Sequence, residues 1–163
     1  MKKLLLCALS VLLALVSGCG GERTAEVTGS QIVYGSKDYD YINPLRDEYG
    51  EIDRLLFDGL VRRNDAGEVV PALASSWEYD ADTYTYVFHL RDDVRWHDGK
   101  PLRAADVKFT IEAIQNPLTD SANVSNFEDV REITELDDRT VRIRLSAPNA
   151  AFLAYMIQPI LPA

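Results

Sequence analysis

The clearest pattern of apolar and polar positions is a strict alternation over residues 83–91. One face carries Tyr84, Tyr86, Phe88 and Leu90, and the other carries Thr83, Thr85, Val87, His89 and Arg91. A period of two residues predicts a β-strand with one face in a core. His89 lies on the mixed face, which favours an ordinary residue of the sheet surface.

A second alternation predicts a β-hairpin further along the chain. Val141, Ile143 and Leu145 alternate with Thr140, Arg142 and Arg144, and a further strand is expected at residues 130–136, across the polar turn at residues 137–139. Antiparallel pairing places Glu132 or Glu135 opposite Arg142 and Arg144, as on a solvated sheet face. A short apolar run at residues 31–34 predicts one further strand.

Helical spacing of apolar residues occurs in three segments. It predicts a helix from about residue 51 to Arg63 (Ile52, Leu55, Leu56, Leu60), a second over residues 104–114 (Val107, Ile111, Ile114), and a third after Asn149 (Phe152, Leu153, Tyr155, Met156, Ile157). The third is apolar on all sides, so we expect other elements to cover it. Residues 71–74, which begin with proline, predict a single helical turn.

The charged turn at residues 92–101 contains a His97-Asp98 pair that suggests a catalytic dyad. A hydrolase would need a nucleophile from elsewhere, and the local serines, Ser75 and Ser76, lack the glycine frame of a nucleophile elbow. Adjacent residues in a tight turn also tend to point apart. A secreted hydrolase that uses His97 therefore stays open only as an alternative.

The amino-terminal residues have the layout of a secretory signal. Lys2 and Lys3 precede an apolar run at residues 4–16, which is too short to span a bilayer comfortably. The motif Val16-Ser17-Gly18-Cys19 resembles a bacterial lipobox, which implies that Cys19 is lipidated and becomes the mature amino terminus; a membrane anchor that ends in cysteine is the alternative. We expect a signal peptide at residues 1–18, a flexible tether at 19–30 and a folded part at 31–163.

Charge and cysteine content exclude several classes of partner. The net charge is −9, and removal of Lys2 and Lys3 leaves 15 basic against 26 acidic residues, or −11. Such a surface repels nucleic acid and anionic lipid. Without Cys7 and with Cys19 lipidated, the mature chain has no thiol for a disulfide or a metal site. The sequence has no metal-ligand spacing and no phosphate-binding loop, so we expect no cofactor.

A set of residues, taken in their order along the chain, resembles the amino-terminal part of family 5 extracellular solute-binding proteins. These are the peptide and nickel receptors of ATP-binding-cassette (ABC) importers. The residues of the set are Leu60-Val61-Arg62, Asp65, Gly67, Val70-Pro71-Ala72-Leu73-Ala74, Ser76-Trp77, Tyr84, Tyr86, Phe88, Leu90-Arg91, Asp93-Val94, Trp96-His97-Asp98-Gly99, Pro101-Leu102, Ala105-Asp106-Val107, Phe109, Leu136, Asp138, Thr140-Val141, Leu145, Pro148, Phe152-Leu153 and Pro159 to Pro162. The resemblance implies an α/β fold, part of the first lobe of a type II periplasmic-binding-protein-like fold, with mixed or antiparallel strands and short helices. Arg103 departs from the family, which usually has threonine or serine there as a helix cap.

The resemblance also implies a function. It implies that the chain is the lipid-anchored, extracytoplasmic binding component of a peptide importer. Such a component is not an enzyme, and it works with a membrane permease and a separate ATPase. A nickel or metal-complex receptor is one alternative, and a truncated fragment that binds nothing is another, because the chain supplies only part of a two-lobed protein and ends on apolar residues. Loops that approach the ligand cleft in family members correspond to Arg46, Asp47, Glu48 and Tyr49, and to residues 123–127 with Asn123 and Asn126.

Overall fold

A computed structural model of the chain describes residues 43–46 and 52–163. The signal peptide expected at residues 1–18, the expected lipidation site Cys19, the tether expected at 19–30 and the strand expected at 31–34 lie outside the described residues. Asp47, Glu48 and Tyr49 lie outside them as well. The described elements in chain order are α1 (Asp53–Leu56), β1 (Val61–Arg63), β2 (Val69–Pro71), β3 (Ala74–Asp80), β4 (Thr85–Leu90), α2 (Ala104–Gln115), two 3-10 turns (Pro117–Thr119 and Val124–Phe127), β5 (Val130–Asp137), β6 (Thr140–Leu145) and α3 (Phe152–Tyr155).

The centre of the fold is a four-stranded antiparallel sheet with the order β3-β4-β6-β5. In its central pair Thr85 lies opposite Arg144 and Phe88 opposite Val141. The alternation predicted for β4 and β6 is confirmed, because Tyr86, Phe88 and Leu90 of β4 and Val141, Ile143 and Leu145 of β6 are all buried. This face contributes to one apolar core together with α2, which buries Val107, Ile111 and Ile114.

Strand β4 begins two residues later than the alternation predicts. Tyr84 has a φ of 55°, in the left-handed region, so the chain is still turning there. The Asp80 carboxylate holds this turn, since it accepts hydrogen bonds from the Asp82 amide at 2.9 Å and from the Thr83 hydroxyl at 2.8 Å. Such aspartate-centred turns compete locally with strand pairing.

Two predicted helices are wrong in extent or type. The helix expected from about residue 51 to Arg63 is limited to α1, and the single turn expected at residues 71–74 is instead the end of β2 and the start of β3. The reason is tertiary pairing: β1 pairs with β2 in an antiparallel ribbon, and the amides of Ala72 and Ala74 both donate to the Leu60 carbonyl. Backbone pairing with distant segments overrides a weak local helical pattern.

A close backbone contact holds this ribbon against the end of the chain. Gly59 lies against the backbone of Met156 and Ile157, and the Val61 amide donates to the Met156 carbonyl at 3.3 Å. The helix predicted after Asn149 is present as the four-residue α3, and Phe152 and Met156 are covered as expected. No helix among the described residues is long and apolar enough to span a membrane.

Candidate functional site

A cleft of about 310 Å³ lies between Pro44, the first residues of α1, the 3-10 turn at Val124–Phe127 and α3. Its lining combines polar residues of both charges with residues of α3 and the segment after it: Pro44, Asp53, Arg54, Arg63, Asn123, Asn126, Ala154, Tyr155, Ile157, Gln158 and Pro159. Segments far apart in the sequence therefore form one concave surface.

Side chains tie the walls of the cleft to each other. The Gln158 side-chain amide donates to the Pro44 carbonyl at 2.9 Å, and the Ser121 hydroxyl donates to the Leu45 carbonyl at 2.6 Å. The Asn123 amide in turn donates to the Ser121 hydroxyl at 3.3 Å. These bonds fix residues 43–45 against both the 121–126 loop and the last segment, so the cleft is preformed.

The polar groups in the cleft are partly available to a ligand. Asn123 and Asn126 are half-buried, and their side-chain amides make no hydrogen bond with any other described residue. Arg54 is exposed, whereas Arg63 donates to the Gly67 carbonyl at 2.8 Å and Asp53 is buried at 4% exposure. Side-chain amides recognise peptide groups, and guanidinium recognises carboxylate, so the lining suits a small solute that carries amide groups and a carboxylate.

The structure brings only some of the predicted site residues together. Asn123 and Asn126 line the cleft, whereas Arg46 lies beside it, 3.9 Å from the Asp120 carboxylate. The sequence reasoning missed Asp53, Arg54, Tyr155 and Gln158. One signal was present for Gln158, since it is a single polar residue within an otherwise apolar run.

A second, larger groove of about 510 Å³ lies on the polar face of the sheet. Its charges are paired across strands as the hairpin predicts: Glu132 lies 3.1 Å from Arg144 and 3.5 Å from Arg142. The hydroxyl of Thr134, and then Arg144, hold the pKa of the Glu132 carboxyl below its ordinary value. Because the charges neutralise each other, this groove has the character of a solvated sheet face.

The two histidines lie apart from the cleft. The His97 ring packs edge-on against Phe57, with ring centroids 6.4 Å apart. The neighbouring Asp98 carboxylate binds Lys100 instead, through the Lys100 backbone amide and ammonium, both of which lower the pKa of Asp98. His89 lies 3.3 Å from Glu78 on the sheet surface. Within residues 43–46 and 52–163, no group of three or more histidine, cysteine, aspartate or glutamate side chains is placed to hold a metal ion.

Residues 68–163 match the model of the bacterial extracellular solute-binding proteins, family 5 Middle. The dipeptide-binding protein of Escherichia coli (strain K12) is 38% identical over 104 residues, with 53% of this chain and 19% of that protein covered. The crystal structure of NikZ from Campylobacter jejuni in complex with Ni(L-His) superposes with a TM-score of 0.74 at 39% identity, covering 77% of this chain and 26% of that one. The ABC transporter substrate binding protein CtaP from Listeria monocytogenes gives 0.69 at 33% identity, covering 78% and 27%.

These matches are to part of longer proteins, since the chain spans 19% of the curated E. coli relative and 26% and 27% of the two structures. The matched range nevertheless contains all four strands of the central sheet, α2 and α3. It also covers more than half of the chain. The chain belongs to the bacterial extracellular solute-binding proteins of family 5.

Proposed function

We propose that this chain is the solute-capturing component of an ABC importer, that it holds peptides outside the membrane, and that it delivers them to a permease. The family consists of extracellular solute-binding proteins. A relative that is a dipeptide-binding protein and a structural neighbour that is an ABC transporter substrate binding protein support the cargo and the transport role.

The cleft is the observation that carries the proposal. Peptides are zwitterions with main-chain donors and acceptors, and the cleft offers the side-chain amides of Asn123 and Asn126 beside the guanidinium of Arg54. The amides hydrogen-bond to the peptide main chain, and Arg54 attracts the terminal carboxylate. Preformed walls keep the entropic cost of binding low.

Calorimetric titration of the chain with dialanine and trialanine tests this role. We expect saturable binding that Asn126→Ala weakens about five- to tenfold, because one hydrogen bond is worth about 1 kcal/mol. Arg54→Gln weakens binding as well, whereas Arg62→Gln, a matched change at an exposed arginine outside the cleft lining, leaves it unchanged. Equal effects of Arg54→Gln and Arg62→Gln would refute the assignment of the cleft.

A nickel chelate is the second candidate cargo. It is favoured by the 39% identity to the NikZ chain that was crystallised with Ni(L-His). A chelate brings ligands of its own to the metal, so the cleft need supply only polar contacts. Titration with Ni(L-His) in competition with dialanine distinguishes the two cargoes. A well-folded chain that is silent toward both would favour the alternative of a fragment that binds nothing alone.

Lipidation at Cys19 completes the proposal and has an independent test. It rests on the Val16-Ser17-Gly18-Cys19 motif after a short apolar run. Expression in a bacterial host with labelled palmitate is expected to label the wild-type chain and place it in the membrane fraction. Cys19→Ser is expected to abolish the label and release the chain, and persistent labelling would overturn the assignment.

A further inference from the structure

Helix α2 carries two buried polar residues one turn apart. Asp106 is 7% exposed and Thr110 is fully buried, although the rest of this face packs into the apolar core. Residues at positions i and i+4 of a helix lie above one another on the same face. Buried polar groups are costly unless they are hydrogen-bonded, so this pair needs partners.

Those partners are backbone groups of the last segment, residues 157–163, which we name the strap. The Leu161 amide donates to the Thr110 hydroxyl at 2.9 Å, and the Ala163 amide donates to the Asp106 carboxylate at 2.9 Å. The Ile160 amide points the other way and donates to the Asp58 carbonyl at 2.9 Å. Hydrogen bonds thus hold the strap from both sides.

Further contacts fix the orientation of both acceptors. The second carboxylate oxygen of Asp106 accepts from the Trp96 indole N–H at 3.0 Å and from the Arg103 amide at 2.8 Å. The Thr110 hydroxyl donates back to the Asp106 carbonyl at 2.8 Å. Its oxygen is therefore oriented to accept from Leu161, and the site is organised around the strap.

The strap continues directly into the cleft wall. Ile157, Gln158 and Pro159 line the cleft, and Gln158 reaches across to the Pro44 carbonyl. A shift of the anchored residues would move these three, because only Ile160 lies between Pro159 and the anchored Leu161 in the chain. We propose that Asp106 and Thr110, which lie outside the cleft lining, are positioning residues for solute binding. This inference rests on the proposed function.

The test uses the whole chain and two readouts, amide hydrogen exchange and the affinity for dialanine. Thr110→Val removes the acceptor while keeping the shape of the side chain, and we expect Leu161 exchange to rise about tenfold and the Kd for dialanine about fivefold. Thr110→Ser retains the hydroxyl and is expected to restore both values. Ile143→Val is the matched control, since it removes a buried methyl group from β6 and is expected to change neither.

The possible results distinguish the anchoring of the strap, the positioning role of Thr110 and the proposed function. Unprotected exchange at Leu161 in the wild-type chain would overturn the anchoring itself, even if Thr110→Val fails to fold. Faster exchange with an unchanged Kd in Thr110→Val would overturn the positioning role while leaving the proposed function intact. Failure of the wild-type chain to bind dialanine would overturn the proposed function, and the exchange data would still decide whether Thr110 anchors the strap.

Discussion

Gly59 lies where two backbone segments touch, and its replacement by alanine should be among the most damaging small changes in the chain. A Cβ atom at Gly59 would lie 2.6 Å from the carbonyl carbon and oxygen of Ile157 and 2.6 Å from the Met156 carbonyl oxygen. All three atoms belong to backbone, so no side chain can rotate away. The segments must separate instead.

The separation breaks specific contacts. The Val61 amide donates to the Met156 carbonyl and the Ile160 amide to the Asp58 carbonyl, so both bonds lengthen when the segments move apart. Overpacking of a core commonly costs about 1–3 kcal/mol, and a backbone clash places Gly59→Ala at about 3 kcal/mol. For a chain of this size the loss lowers Tm by roughly 6–12 °C.

Urea unfolding followed by tryptophan fluorescence measures this loss, with Gly67→Ala as the control. Gly67 has a φ of +81°, but a Cβ atom added there would meet no other atom within 4 Å, so its replacement costs only the left-handed strain, about 1 kcal/mol. Gly59→Ala should also weaken solute binding, since Ile157 lines the cleft. If Gly59→Ala is no less stable than Gly67→Ala, the reasoning about the backbone contact is refuted.

Three further predictions concern the core, the sheet surface and the start of α2. Phe152→Ala removes a fully buried ring and should cost about 3–5 kcal/mol in urea unfolding, whereas Phe109→Ala, at a 43% exposed position, should cost far less; equal losses would contradict the core assignment. The Thr134 hydroxyl donates to Glu132 at 3.0 Å and lowers its pKa, so the stability from this carboxylate is present above its unfolded pKa and is lost as pH falls through the folded value. Thr134→Val should raise the pKa of Glu132 toward 4.5 in a carboxyl NMR titration, and an unchanged value would refute this cause. Arg103→Ser should stabilise the chain by about 1 kcal/mol, because position 103 has the extended backbone of an N-cap and arginine offers no acceptor; a loss of stability would show that the arginine contributes otherwise.

The sequence predicts best those elements whose pattern matches their burial. β4, β5, β6 and α2 were expected within two residues of their observed bounds. In β4, β6 and α2 the apolar period coincides with one buried face, so local pattern and tertiary packing agree. β5 buries only Val130, and its hairpin pairing with β6 defines it instead. The type of fold implied by the family resemblance is confirmed by the structural matches.

The errors lie where pattern and packing disagree. Leu55 and Leu56 suggested one face of a long helix, yet they are 63% and 41% exposed, while Leu60 is fully buried beyond the end of α1. β3 was missed because only Ala74 of its seven residues is buried. An edge strand of this kind is defined by its pairing with β4, which no local periodicity reveals.

The candidate cleft was predictable only in part for a related reason. Asn123 and Asn126 were named from the family resemblance and do line the cleft. Arg54 and Gln158 meet them only after the chain has folded, because more than thirty positions separate each from the nearest of the two in sequence. Composition and spacing carry no information about this proximity. For Gln158 the structure shows it through the hydrogen bond to the Pro44 carbonyl, which joins two distant segments of the cleft lining.

The strand order has a consequence for how this chain reaches its native state. β4 pairs on one side with its neighbour β3, but on the other side with β6, which follows α2 and both 3-10 turns in the sequence. Until β6 has emerged, the hydrogen-bonding edge of β4 stays open beside the aromatic residues Tyr86 and Phe88. Open edges of this kind promote association between chains, so newly made molecules are most vulnerable to aggregation before the β5–β6 hairpin docks.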